Sequence, residues 1–240
     1  RLLLDTLPAP GTVCAAPRDQ ARHLARVRRI TPADQLECLD RGGMASAAEI
    51  VALDKDELLF RVQGAPRAPI AATRVRVCIS VLPEQAFDLV LQKCTELGAA
   101  ECQPMLCAHT VARMRPDDAG RKCARWQRIC DEAAVQSGSA PMRVLPPAAA
   151  QAVWPAAAAT RLLADQSGAW LAALPPPHDG TIMIAIGPEG GFADAERAAA
   201  VQHGWHPVAL SPHTLRAETA AVAACARLII PHKELPCLSR

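Results

Sequence analysis

The pattern of apolar and polar positions divides the chain into two parts, 1–68 and 69–240, that predict different kinds of structure. In the first part, short apolar runs lie between turn signals and predict β-strands, in a small sheet or barrel, over 35–40, 45–53 and 57–63. A short helix is predicted ahead of these strands over 17–29, with a proline in its first turn. The stretch 64–69 is rich in glycine, proline and alanine and has the composition of a linker.

The second part alternates strand patterns with helical patterns. Runs of β-favouring residues predict strands over 75–82, 100–107, 160–164, 181–186 and 207–210. Apolar residues at helical spacing predict helices over 84–97, 117–137, 193–203 and 218–230. The segment 146–155 is expected to be a loop or a helix edge. This alternation predicts an α/β domain with a parallel sheet covered by helices on both faces.

Composition and charge narrow the classes of function. The chain has 26 Lys and Arg against 24 Asp and Glu, so its net charge of +2 argues against binding nucleic acid by charge alone, although a local basic patch is compatible with it. Aromatic residues make up 3 %, which argues against the stacking platforms of single-strand binders. No apolar run reaches the roughly 18 residues of a transmembrane helix, and the start does not resemble a signal peptide. We therefore expect a cytoplasmic protein without membrane partners.

The ten cysteines show no pattern typical of a metal site. No C-x-x-C occurs, and no Cys/His spacing matches a zinc site, so no metal is expected. Cys94 and Cys130 fall on the apolar faces of predicted helices, where free cysteine packs as a small hydrophobe. We interpret the cysteines as structural thiols; a reactive or metal-bound thiol stays open as the alternative.

A glycine-rich turn carries the strongest functional signal. A buried strand that ends at Ile186 runs into Gly187-Pro-Glu189-Gly190-Gly191 and then into a predicted helix. Ligands of open α/β sheets bind beyond the carboxyl ends of the strands, and glycine lets the backbone approach them closely. The turn matches neither the dinucleotide pattern G-x-G-x-x-G nor a P-loop. A tight turn without a ligand is the alternative interpretation.

A second cluster, 210–221, follows the next strand and opens an alanine-rich helix. Glu218 and Thr219 have a structural explanation there, since an acid suits the helix dipole and a hydroxyl can cap amides; a functional role is the alternative for both. Arg216 gains nothing from the dipole at a helix start, so we assign it to ligand or substrate.

Two helices carry arginines that could contact an RNA backbone. Arg121, Arg125 and Arg128 share one face of the predicted helix 117–137. The helix 17–29 adds Arg22, Arg26, Arg28 and Arg29. Such arginines either position a folded RNA by its phosphates or form an ordinary solvated face.

Four segments resemble a known family. "LVLQKCTELG" (89–98), "RWQRICDEAAVQSG" (125–138), "IGPEGGF" (186–192) and "LRAETAA" (215–221) occur in the order and spacing of the RsmE family, the 16S rRNA (uracil-N3)-methyltransferases of the SPOUT superfamily. The resemblance covers about 75–230 well, and the first 68 residues more loosely through "RHLARVRRI" (22–30).

The resemblance implies an N-terminal PUA-like β-barrel that binds RNA and a C-terminal methyltransferase domain threaded into a trefoil knot. It implies a homodimer that acts on 16S rRNA of the small ribosomal subunit. It also implies S-adenosylmethionine as cofactor, in a site formed by Ala164, Ile186, Gly187, Glu189, Gly190, Gly191, Leu210, Ser211 and Leu215.

The implied chemistry assigns roles to three charged residues. N3 of uridine must lose its proton to accept a methyl group, and charge then spreads to the ring carbonyl oxygens. Arg216 is expected to stabilise that charge, and Glu189 or Glu218 to help remove the proton. Two alternatives remain: a non-catalytic RNA-binding relative, and a SPOUT methyltransferase with another RNA target.

The chain departs from the family pattern at several positions. His109 and Thr110 replace an Arg-Ser pair, Ser139 replaces an arginine, and Ser211 and His213 replace a glycine and an arginine. The lost arginines predict weaker phosphate contacts, for which His109 and His213 are partial substitutes. The lost glycine raises the question whether the cofactor loop keeps its shape.

Overall fold

The computed structural model describes residues 1–27, 30–54, 57–68, 74–112, 114–173 and 180–230. The described residues form two compact units, one within 1–70 and 130–141 and the other within 71–129 and 142–240. The second half of the predicted helix 117–137 thus groups with the N-terminal unit. Within the described ranges, no helix is both long and apolar enough to cross a membrane.

The N-terminal unit contains a five-stranded sheet in the order β1-β3-β4-β5-β2. Its strands are Leu2–Leu4 (β1), Val13–Ala15 (β2), Gln35–Asp40 (β3), Ala45–Leu53 (β4) and Leu58–Arg67 (β5), and its helix is Arg18–Val27 (α1). β3, β4 and β5 pair antiparallel as a meander, and β1 joins β3 in parallel. Leu2, Ile50 and Phe60 are buried in its core.

The sequence predicted β3 and β4 with these bounds, but the linker prediction for 64–67 is wrong. Those residues extend β5, because Arg67 still pairs with Ala45 of β4. The remainder of the predicted linker from residue 69, and the predicted helix residues 28–29, lie outside the described residues.

The second unit contains a parallel sheet in the order β12-β10-β11-β6-β7-β8, with β9 also paired to β7. Its strands are Arg74–Ser80 (β6), Glu101–Leu106 (β7), Arg143–Val144 (β8), Ala148–Ala149 (β9), Thr160–Trp170 (β10), Thr181–Ile186 (β11) and His206–Ala209 (β12). Every pair in it is parallel, which confirms the predicted α/β sheet.

The helices after α1 are Glu84–Glu96 (α2), Ala119–Ser137 (α3), Ala150–Val153 (α4), Asp194–Gln202 (α5) and Ala217–Ile229 (α6), with 3₁₀ turns at Pro116–Asp118 and Leu171–Ala173. The helix α6 follows the edge strand β12 but packs against α2, β6 and β11 in the middle of the sheet. A knotted SPOUT domain requires such a return of the chain; the knot itself stays a prediction.

A buried carboxylate links three neighbouring strands. Glu101 of β7 lies in register with Arg76 of β6 and Arg143 of β8, and both guanidinium groups bind its carboxylate. Burial acts to raise the pKa of Glu101, but hydrogen bonds and the charges of the two arginines outweigh burial and lower it. Glu101 therefore stays ionised in the interior.

Most of the described cysteines are packing residues. Cys94 and Cys130 are fully buried, as predicted. Burial raises the pKa of Cys38 to about 12 and also raises that of Cys78, so both thiols stay neutral. No group of three or more His, Cys, Asp or Glu side chains in the described part of the chain is placed to hold a metal ion.

Candidate functional site

The predicted catalytic and cofactor-site residues lie at or beyond the carboxyl ends of three strands of the parallel sheet. β12, β10 and β11 are neighbours, and parallel strands end at the same edge. The glycine-rich turn follows β11, the segment 210–216 follows β12, and Ala164 precedes an irregular stretch near the end of β10. Strand order therefore brings together three segments that are separate in the sequence.

The glycine-rich turn is shaped by its glycines. A Cβ on Gly187 would lie 3.2 Å from the amide nitrogen of Phe192, whose ring is buried against Trp154. Gly191 has φ of 71°, a conformation that favours glycine. Glu189 and Gly190 are exposed at the tip, and their amides have no hydrogen-bond acceptor among the described residues. The turn therefore offers open backbone donors to a ligand.

The strand β10 is longer than predicted and contains an irregularity beside this turn. Ala164 and Ala169 both align with Val208 of β12, so residues 165–168 form a bulge in β10. A Cβ on Gly168 would lie 2.2 Å from the carbonyl carbon of Pro207, so this position requires glycine. The residues of the bulge do not continue the apolar pattern of the strand. The sequence therefore predicted an end at 164, whereas β10 continues to Trp170.

The segment 210–216 joins β12 to α6. Ser211 does not need positive φ, and its hydroxyl accepts a hydrogen bond from the His213 amide at 3.1 Å, so the loop accommodates the lost glycine. Leu210 and Leu215 are half-buried. Arg216 is the exposed N-cap of α6 and forms no ion pair with a described residue. Glu218 lies half-buried in the first turn of α6.

The expected capping role of Thr219 is wrong. The first turn of α6 has no side-chain cap hydrogen bond, because the cap position is held by Arg216 rather than by a hydroxyl residue.

Two side-chain contacts tie the β10 bulge to its neighbours. Gln166 donates to the Thr214 hydroxyl at 2.8 Å, which joins the bulge to the loop after β12. Asp165 binds Arg197 of α5 at 3.1 Å and accepts two hydrogen bonds from Ser167. Partial burial acts to raise the pKa of Asp165, but the Ser167 hydrogen bonds and the Arg197 charge lower it. The ionised Asp165 carboxylate thus stabilises the bulge through its contacts with Ser167 and Arg197.

Glu196, which no sequence pattern indicated as a site residue, joins α5 to the loop after β7. The residue is 3 % exposed, and its carboxylate accepts hydrogen bonds from the amides of Ala108, at 2.9 Å, and Ala193, at 3.0 Å. The signal for the second bond was local, since a glutamate in the first helical turn commonly reaches back to the N-cap amide. The first bond spans 88 residues and had no local signal.

The loop 107–110 after β7 is held at both ends. The Thr110 hydroxyl lies 2.9 Å from that of Ser80, at the end of β6, and accepts a hydrogen bond from the Cys107 amide at 2.8 Å. Nδ1 of the exposed His109 lies 3.1 Å from the carbonyl oxygen of Gly191. The pair His109 and Thr110, which replaces Arg-Ser, thus connects this loop to the glycine-rich turn.

The predicted RNA-contacting arginines differ in their surroundings. Arg121 binds Asp118 at 2.7 Å, and Arg125 binds Asp88 and Glu84, the Asp88 hydrogen bond raising its pKa. Arg128 is exposed and forms no ion pair within the described ranges. Arg22 is exposed on α1; the side chain of Arg26 and all of Arg28 and Arg29 lie outside what the structure describes.

Two family models match the chain over most of its length. A model described as an RNA methyltransferase domain matches residues 69–229, and one described as an RNA methyltransferase PUA domain matches residues 16–63. Each matched range lies within one of the two parts that the sequence pattern distinguished.

Curated relatives and solved structures agree with these models. The chain is 34 % identical to ribosomal RNA small subunit methyltransferase E of Synechocystis over 87 % of this chain and 70 % of the relative. It is 30 % identical to the Mycobacterium bovis protein of the same name, over 92 % and 87 % of the two chains.

The crystal structure of ribosomal RNA small subunit methyltransferase E from Neisseria gonorrhoeae, bound to S-adenosylmethionine, matches with a TM-score of 0.85, 27 % identity and 94 % coverage of both chains. A Legionella pneumophila protein solved with the same cofactor has a TM-score of 0.86 at 22 % identity over 95 % of each chain, which shows the shared fold. The resemblance seen in the sequence is thereby confirmed, and the chain belongs to the ribosomal RNA small subunit methyltransferase E family.

Proposed function

We propose that this protein transfers a methyl group from S-adenosylmethionine to N3 of a specific uridine in 16S rRNA of the small ribosomal subunit. The observation that carries the proposal is the meeting of the glycine-rich turn and the Arg216 loop at one sheet edge, in a chain of this family. Relatives with 30–34 % identity are named as rRNA small subunit methyltransferases.

The residues at this edge fit the cofactor. The open amides of Glu189 and Gly190 suit polar groups of a ligand, and the half-buried Leu210 and Leu215 suit its apolar surface. Ala164, Ile186, Gly187, Gly191 and Ser211 complete the proposed cofactor site. When bound, S-adenosylmethionine supplies a methyl group already activated by the sulfonium.

Arg216 is the proposed source of electrostatic stabilisation for the negative charge that develops on the uracil oxygens. Its guanidinium is exposed and forms no ion pair within the described ranges, so it is available to an anionic group. Preorganised donors of this kind contribute strongly in a site from which water is excluded. Glu189, in the glycine-rich turn, and Glu218, in the first turn of α6, are proposed to help remove the N3 proton.

RNA is proposed to bind through two domains. The first, 1–68, acts as a PUA-like RNA-binding domain with Arg22, Arg26, Arg28 and Arg29, and the second, 69–240, holds the methyltransferase site. On the second domain, Arg121, Arg125 and Arg128 would contact phosphates, and Arg128 is the best placed because no described residue forms an ion pair with it. We also propose a cytoplasmic homodimer, which light scattering of the purified protein tests.

The decisive experiment is mass spectrometry of small-subunit rRNA from cells that lack this gene. Loss of one N3-methyluridine, restored by the wild-type gene, supports the proposal, and an unchanged modification pattern refutes it. Restoration by the gene but not by Arg216→Ala would support catalysis at the described edge. A protein that binds S-adenosylmethionine in calorimetry but methylates another RNA would belong to the alternative target class. A protein that binds RNA but no cofactor, with or without RNA present, would be the non-catalytic relative.

A further inference from the structure

The imidazole of His109 has a defined orientation at the edge of the proposed site. The residue lies on the loop after β7, and its Nδ1 is 3.1 Å from the carbonyl oxygen of Gly191 in the glycine-rich turn. A Cβ on Gly190 would lie 3.3 Å from the Cβ of His109, so the side chain packs closely on the tip of that turn. The histidine is nevertheless exposed, so its ring is open to a substrate.

The hydrogen bond sets the tautomer of the neutral ring. A carbonyl oxygen only accepts hydrogen bonds, so Nδ1 must carry the proton that is shared with Gly191. In neutral imidazole the other nitrogen, Nε2, then has no proton and presents a lone pair. The main chain of the turn therefore fixes His109 as a base whose acceptor atom is Nε2.

The loop that carries His109 is held in place by contacts that do not involve its ring. The Ala108 amide is bound by the buried Glu196, and Thr110 is bound to Ser80 and to the Cys107 amide. These contacts anchor the residues on both sides of His109 to α5 and β6. A rigid support of this kind is what a proton-transfer group needs, because its reach is a single hydrogen bond.

We infer that Nε2 of His109 accepts the N3 proton of the target uridine. This inference rests on the proposed function and names the group that performs its proton transfer. Imidazole is the side chain whose basicity best suits proton transfer near neutral pH. Glu189 and Glu218 then help by favouring the imidazolium that forms, rather than by taking the proton themselves.

The step balances. The Nε2 lone pair takes the proton from N3, and the N3 electron pair forms the bond to the methyl carbon. The bond between that carbon and the sulfonium sulfur breaks, and its electron pair stays on sulfur as a neutral thioether. The products are N3-methyluridine, the demethylated cofactor and imidazolium, which releases its proton to water because His109 is exposed.

The other titratable groups on the elements around this loop are less suited to the task. Both carboxylate oxygens of Glu196 already accept backbone hydrogen bonds. Burial, together with the nearby Glu196 charge, raises the pKa of the Cys107 thiol to about 12, although the hydroxyls of Ser80 and Thr110 act to lower it. Cys107 therefore stays protonated, and it is buried. Glu189 is exposed in the turn itself, two residues before the Gly191 whose carbonyl oxygen binds His109.

The variant His109→Asn tests the inference, because its amide nitrogen can keep the hydrogen bond to Gly191 but offers no base. In single-turnover assays on small subunits, we expect its rate at pH 7 to fall by about 100-fold or more, the usual contribution of a general base. Its dissociation constants for S-adenosylmethionine and RNA should stay within about threefold of wild type, since such a change costs under 1 kcal/mol. The deficit should shrink as pH rises, because the uridine imide then ionises without help.

A control variant, His206→Asn, changes an exposed histidine at the start of β12, at the opposite end of that strand from the site. It should match wild type at every pH. A His109→Asn enzyme with the wild-type rate at pH 7, or with a deficit that does not change with pH, would overturn the inference. So would a loss of RNA affinity with an unchanged single-turnover rate at saturating RNA, which would assign His109 to phosphate binding.

A measurement without turnover gives a second test. Nitrogen-15 NMR of the full-length protein labelled at histidine should show His109 with the proton on Nδ1 when the ring is neutral. A dominant Nε2–H tautomer would overturn the inference. If wild-type protein leaves N3 of every 16S rRNA uridine unmethylated, the proposed function fails and this inference with it; if wild type methylates and His109→Asn is equally fast, the inference alone fails.

Discussion

The replacement Gly168→Ala tests whether the bulge in β10 depends on direct backbone contact with β12. The added methyl would lie 2.2 Å from the carbonyl carbon of Pro207, 2.3 Å from the amide nitrogen of Val208 and 2.4 Å from the carbonyl oxygen of Pro207. Ordinary contacts of this kind begin at 3.4 Å, so the methyl is about 1 Å too close. All three atoms are backbone, so no side-chain rotation can relieve the overlap.

The strands must therefore separate or change register. Inserting one methyl group into a packed site costs about 1–3 kcal/mol, and we expect about 3 kcal/mol because the obstacle is main chain on a paired strand. For a protein of this size, that free energy lowers the midpoint of thermal unfolding by about 6–12 °C. Affinity for S-adenosylmethionine should also fall, because the bulge adjoins the proposed cofactor site.

Differential scanning calorimetry measures the midpoint, and isothermal titration calorimetry measures cofactor affinity. The matched control is Gly120→Ala, which adds the same methyl group near the start of α3, where it meets no heavy atom within 4 Å apart from its chain neighbours and the backbone of its own helix. That variant should be neutral or more stable by up to about 1 kcal/mol, since alanine suits a helix better than glycine. At about 3 °C per kcal/mol, the expected cost is a clear drop in the unfolding midpoint. A Gly168→Ala midpoint within about 2 °C of that of Gly120→Ala would therefore show that the added methyl does not overlap the backbone of β12.

Three further predictions follow from charged residues. Glu101→Gln should cost about 2 kcal/mol of stability at pH 7, as expected for lost hydrogen bonds to charged groups. Because the folded protein lowers the pKa of Glu101 below 4.5, its stabilising effect is present above that pH and is lost as pH falls through the lowered value. Acid titration by circular dichroism should therefore show the two proteins converging in stability at low pH, and a constant difference would contradict this. Glu196→Ala should speed amide hydrogen exchange in the loop 107–110, because one backbone donor there loses its acceptor; unchanged exchange would show that the contact does not hold the loop. Arg128→Ala should reduce the slope of log affinity against log salt concentration for RNA binding by about 0.7–0.9, the contribution of one phosphate contact. Arg121→Ala should change that slope less, because Arg121 is paired with Asp118. Equal slopes for Arg128→Ala and wild type would show that Arg128 does not contact the RNA.

Much of the fold could be predicted because its signals are local. The helix α2 was predicted from apolar spacing and its terminal glycine, and it ends one residue before the predicted end. The strand β11 matched its predicted bounds because it is buried on both sides and reads as one continuous apolar run. The three-residue strands β1 and β2 were missed, since so few residues show no periodicity.

The sequence predicted the separate loops of the candidate site but not the hydrogen bonds that join them. The glycine-rich turn and the Arg216 loop were recognisable from residue types that suit close backbone approach and a free cation. The hydrogen bonds that join the loops link residues 48 to 88 positions apart, and no local pattern carries that information.

The sequence by itself determined the alternation of strands and helices, the placement of the glycine-rich turn at a strand end, and the family resemblance. Each depends on residues close together in the chain, where backbone preference and periodicity act. The tertiary structure alone decided that β10 lies between β12 and β11. That order brings Gly168 onto the backbone of Pro207, and the crossing of distant loops turns His109 toward Gly191. Such contacts depend on which strands become neighbours, a property of the whole packed sheet rather than of any one segment.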